Sequence, residues 1–155
     1  MQDLSPVGDS KSNGFVERSI QSIQGQIRTL RSALEARIGT KISPTGPIFA
    51  WLIIHAANMM NLFETGKDGR VPYQRLRGRK MHAELVEFGE CILYQPLKHL
   101  ELGKAEPRWM PGIFLGIKLN SSEKVIATEG GIIKVRTIRR KLEAERWNAE
   151  EYSIV

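Results

Sequence analysis

The sequence predicts an α+β fold, with helices in the first half and strands in the second. Two observations carry this reading. Ile20, Ile23, Ile27, Leu30, Leu34 and Ile38 recur three or four residues apart, which is a helical stripe. After Gly78 the texture changes to short runs rich in β-branched and aromatic residues, separated by Gly and Pro. Helices followed by strands indicate α+β or two consecutive modules.

Residues 1–11 are polar, contain Pro6 and Gly8, and read as a loop. Ser12 or Asn13 is placed to cap a helix over about 12–38. Gly39 to Pro47 breaks the chain with two glycines and two prolines. A second, strongly apolar helix is expected over about 48–63, and a short one over 72–77, opened by Pro72 and stopped by Gly78. Leu85–Gln95 and Trp109–Leu119 read as strands, the second bent or bulged around Pro111-Gly112. Lys124–Glu129 and Ile132–Ile138 read as a hairpin about Gly130-Gly131. These four strands suggest a small SH3-like antiparallel β-barrel. The organisation is therefore 1–80 helical, 81–142 a barrel, and 143–155 an acidic tail with no clear part in the core.

Composition narrows the functional classes. The chain has 155 residues, 41% of them hydrophobic, so a packed core is expected. Its net charge is +6 and its pI about 9.7, which favours a polyanionic partner, nucleic acid before membrane surface. Cys91 stands alone, so neither an intrachain disulfide nor a cysteine zinc site is possible. The N-terminus has no apolar segment of signal-peptide type, and Pro47–Phe63 is interrupted by His55, Asn58 and Asn61. A nuclear or cytoplasmic location without membrane insertion is the expectation. His55, His82 and His99 have no metal-ligand spacing, and His55 reads as a core residue on an apolar helix. Cys91, without a paired His, reads as core packing.

Glu17 is the one acidic residue in the first two-thirds of the long helix. One reading is an early-turn carboxylate that favours the positive end of the helix dipole. The other is a metal ligand. At 100° per residue, Gln21, Gln24, Arg28 and Arg31 fall within roughly 40° of Glu17 around the axis. Such a line of amides and arginines can follow a phosphate backbone. It can equally be the solvated face of an amphipathic helix.

The wording of this stretch resembles the final acidic motif of copia-type retrotransposon integrases: Asn13-Gly14, two apolar residues, then Glu17-Arg18 and a helix. The resemblance continues in order. "FAWLIIHAANMMNLF" looks like the family's next helix, "VPYQRLRGRK" like its Pro-aromatic and Leu-x-Gly-x-Lys segment, and "EFGECILYQ" with "GIFLGI" like its Phe-Gly and Phe-Leu-Gly strands. Together these cover about residues 12–140. The resemblance implies an RNase H-like core, here truncated to its helices. In the family two aspartates and one glutamate hold two divalent ions, usually Mg²⁺, for in-line attack on DNA phosphodiesters. Glu17 matches the glutamate. The aspartates belong on strands upstream, and the stretch before Glu17 holds only Asp3 and Asp9 in polar sequence. The chain is thus expected to be catalytically incomplete alone.

Two basic clusters complete the candidate surface. Arg70, Arg75, Arg77, Arg79 and Lys80 crowd the junction of helices and strands; Lys134, Arg136, Arg139, Arg140 and Lys141 mark the last strand and its exit. Alternation sets Lys134 and Arg136 opposite Ile133 and Val135. Each cluster reads either as solvated surface or as a DNA-backbone groove. The expected partners are DNA and further copies of the chain, the latter through the Pro47–Phe63 helix. The alternative to an integrase fragment is a non-enzymatic nucleic-acid-binding or oligomerisation module.

Overall fold

The computed structural model describes residues 10–80, 86–96 and 108–155. Asp3, Asp9, His82, Leu85 and His99 lie outside them. The order is α1 (Ser10–Ile38), α2 (Pro47–Phe63), α3 (Pro72–Arg77), β1 (Cys91–Tyr94), β2 (Met110–Ile117), β3 (Lys124–Thr128), β4 (Gly131–Val135), β5 (Ile138–Arg140), a single 3-10 turn (Glu143–Glu145) and α4 (Ala149–Ser153). The fold is α+β, with helices preceding an antiparallel sheet.

The stripe on α1 is buried in a gradient. Ile20 is 50% exposed, Ile27 and Leu30 lie against the core, and Leu34 and Ile38 are inside it. α2 contributes Leu52, His55 and Ala56, one face at i, i+3 and i+4, while Ile53 and Ile54 face out. Glu35 pins the end of α1 to the connection before α2. It accepts the Ile42 N–H at 2.9 Å and Arg31 Nε at 2.9 Å. The Ile42 amide is the largest cause that lowers its carboxyl to about 2.

Five strands form one open antiparallel sheet in the order β4-β3-β2-β1-β5. Because side chains alternate, the two faces bury different sets. Ile113, Leu115, Val125 and Ala127 meet Leu34, Ile38 and Leu52 of the helices. Ile92, Phe114, Ile126 and Val135 form a second cluster on the other face, joined by Ile133 and Ile138. The edge strands β4 and β5 are joined only by Arg136 and Thr137. Four strand spacings of about 4.8 Å would hold flat edges ~19 Å apart, whereas three residues reach ~10 Å. The sheet must curl, and its second cluster is the inside of the curl.

Three strand expectations change. The run 132–138 is two strands, not one, because Ile138–Arg140 leaves β3 and pairs with β1, Ile138 opposite Tyr94. The irregularity in β2 lies between Phe114 and Gly116, not at Pro111-Gly112; β2 pairs with β1 up to Ile113 and with β3 from Ile113 onward. The first strand begins only at Cys91, because Phe88-Gly89 is a turn with Gly89 at φ 82°. A Cβ on Gly89 would meet the Tyr152 hydroxyl and lie 2.6 Å from Leu34 Cδ1.

The acidic tail belongs to the core. Trp147 and Tyr152 pack against the helix-side cluster. The Tyr152 hydroxyl donates to Gly89 O, and burial pushes its pKa up. Asn148 caps α4 by accepting the Glu150 N–H at 2.9 Å.

Candidate nucleic-acid interface

α1 places Glu17, Arg18, Gln21, Gln24 and Arg28 on its exposed surface. Because α1 begins by Ser10, Glu17 sits two turns in, and the first turn carries no acidic residue. The early-turn dipole reading of Glu17 does not apply, since that effect fades within one turn. Among the described residues no three of His, Cys, Asp and Glu are grouped to hold a metal ion. One exposed carboxylate does not fit a two-metal centre, which needs several carboxylates around ions about 4 Å apart. Arg31, the last of the helical line, is turned inward: its Nη2 donates to Ile42 O at 2.8 Å.

In the first basic cluster, Arg75 is bound to Asp68, Nη2 to Oδ1 at 2.6 Å and Nε to Oδ2 at 3.1 Å. That guanidinium holds the Asp68 carboxyl well below the usual range. Arg77, Arg79 and Lys80 are exposed and form no ion pair among the described residues. α3 ends on Arg75 and Arg77, where the C-terminal end of a helix favours positive charge.

The second cluster divides between opposite edge strands. Lys134 on β4 is exposed, with Ile133 and Val135 turned into the curl, as alternation predicts; Arg136 follows in the turn. Arg139 lies over the Trp109 ring, 4.5 Å from its centroid. Arg140 points inward. Its Nε and Nη2 each donate at 2.7 Å to the fully buried Glu90, which Arg146 also approaches at 3.5 Å. Lys141 pairs with Glu151 at 2.5 Å. Within the two clusters the exposed cations outside ion pairs are therefore Arg70, Arg77, Arg79, Lys80, Lys134, Arg136 and Arg139, whereas Arg75, Arg140 and Lys141 sit in ion pairs.

His55 and Cys91 are interior groups. His55 stacks tilted on Phe88 at 5.1 Å, and burial lowers its pKa to about 4. Cys91 is fully buried, and burial raises its thiol to about 11. A protonated thiol so enclosed is a poor nucleophile. No helix is long and apolar enough to cross a membrane among the described residues. Compared with known proteins, the chain matches no family model, no curated protein and no solved structure.

Sequence reasoning passed over Glu90, which holds Arg140 and is approached by Arg146, and Lys118, which shares a sheet face with Lys134. Alternation in "GIFLGIKL" was the available signal for Lys118, since it returns that lysine to the face of Gly116.

Proposed function

We infer that this chain is the C-terminal part of a copia-type integrase and serves in DNA integration by binding the nucleic-acid backbone. The observation that carries the binding reading is the set of exposed cations, Arg77, Arg79, Lys80, Lys134 and Arg136, that have no carboxylate partner among the described residues. Support for the family comes from the ordered motifs, and from helices followed by a curled antiparallel sheet in which an SH3-like barrel is the finer reading. The phosphodiester chemistry belongs to a complete RNase H-like core, where Glu17 would be one of three carboxylates around Mg²⁺. Here the chain's own residues bind and position DNA.

The test is duplex binding by fluorescence anisotropy across salt, with a nicking assay in Mg²⁺ and Mn²⁺ alongside. Binding with little sequence preference, a steep salt dependence and no nicking is expected. Nicking by the purified chain, abolished by Glu17→Gln, would overturn the incomplete-site reading; no binding at low salt would remove the DNA reading altogether.

Oligomerisation is a second reading with its own observation. Phe15, Val16 and Ile20 on α1, and Ile53, Ile54 and Phe63 on α2, are all at least 40% exposed. Apolar surface of that extent favours self-association.

A further inference from the structure

Strand register gathers cations at one corner of the sheet. Lys134 on β4 lies opposite Val125 on β3, and Val125 opposite Gly116 on β2. Lys118 continues the face of Gly116 two residues on, its N–H bonded to Glu123 O at 2.8 Å. Val125 is buried under the helices, while Lys134 at the edge strand is exposed. The corner is therefore where the helical cover ends.

By this register Lys118 and Lys134 project from the same face of the sheet at one corner, with β3 between them. Lys134 is the first cause that lowers the Lys118 pKa, and Glu123 pulls the other way more weakly. Glu123 shares the corner but turns to Ser121, whose Oγ donates to it at 2.9 Å; it forms no ion pair among the described residues. Lys124, on the opposite face of β3, donates to Arg136 O at 2.9 Å and so anchors the β4–β5 turn beside the pair. Two like charges held together by backbone register repel. A tetrahedral anion with several acceptor oxygens converts that repulsion into two charge-assisted hydrogen bonds.

We propose that Lys118 and Lys134 clamp one backbone phosphate of bound nucleic acid. This rests on the nucleic-acid reading above and names a contact within it.

The experiment measures duplex affinity against salt for the parent, Lys118→Gln, Lys134→Gln and the double variant, each checked for folding by circular dichroism. Each single change should lower the log–log slope by about 0.9 and weaken binding about eightfold at 0.1 M salt. Because the phosphate is shared, the double variant should lose little more than either single one. Glu123→Gln should tighten binding. A double variant whose slope falls by about 1.8, the sum of two independent contacts, would overturn the clamp and leave the DNA reading intact. A parent without salt-dependent binding would overturn the DNA reading itself. Lysine-ammonium NMR gives the second arm: signals of both lysines that move with inorganic phosphate but not with duplex would assign the pair to a free anion, against the proposal.

Discussion

Glu90 has no exposed surface and is held by the Arg140 fork. Removing one partner of such a pair leaves a charge without compensation, so Glu90→Gln should cost about 3 kcal/mol in urea unfolding. Arg139→Gln, at an exposed site, should cost less than about 1 kcal/mol, although it lies on the same strand. Equal costs would show that the inward and outward arginines are not distinct. His55 gives a pH signature whose sign follows from its depressed pKa. The folded value is about 4 against an ordinary 6.5. Below 6.5 the unfolded chain gains a proton that the folded chain refuses, so stability falls as pH drops toward 4 and then levels. The loss should approach about 3 kcal/mol. It is read as the difference between the parent and His55→Leu, which cancels the carboxylates; identical pH profiles for the two would exclude His55 as the source.

Among the elements, α1 was legible because its stripe repeats without interruption, and Pro72 and Gly78 bracket α3 with the local stop signals of a helix. The break between β4 and β5 was not legible. No Gly or Pro marks Arg136-Thr137; the one local trace is a shift of phase, since Ile133 and Val135 are two apart but Ile138 is three further on, and pairing of Ile138 with Tyr94 separates the strands. The tail was missed for the same reason, since its partners are remote in sequence. Arg37 lies 4.5 Å from the Trp147 ring, and Trp147 itself packs against the helix-side core. Trp147→Ala should therefore cost about 2 kcal/mol. An unchanged unfolding midpoint would return the tail to a passive extension. At the site, composition revealed the cations but not their company: Arg140 and Glu90 are 50 residues apart, and the shared sheet face of Lys118 and Lys134 is a product of register.

For the molecule as a whole, the gradient along α1 has a measurable consequence. Its first turns leave Phe15 75% exposed and Val16 52% exposed, and α2 adds Ile54 at 47%. Self-association is the expected behaviour at tens of micromolar concentration, seen by light scattering as a mass above that of one chain. Phe15→Ser with Ile54→Ser should return the mass toward the monomer. A parent that is monodisperse and monomeric would count against both the oligomer and the truncated-core reading. The proposed DNA binding is tested separately through charge: substitution at Glu150 and Glu151 should leave it undiminished, whereas Arg77→Gln with Arg79→Gln should weaken all sequences alike.

The bond from the Tyr152 hydroxyl to Gly89 O spans 63 residues of chain. Closing so long a loop costs several kcal/mol of chain entropy before any contact repays it. The hydroxyl also needs Gly89 already in its turn and the strands between already paired. This contact is therefore expected to form after the rate-limiting step, as a latch on a sheet that has assembled. Tyr152→Phe should then speed unfolding while leaving the refolding rate nearly unchanged, a φ-value close to zero. A variant that refolds slower by the whole of its lost stability would place the tail in the nucleus instead.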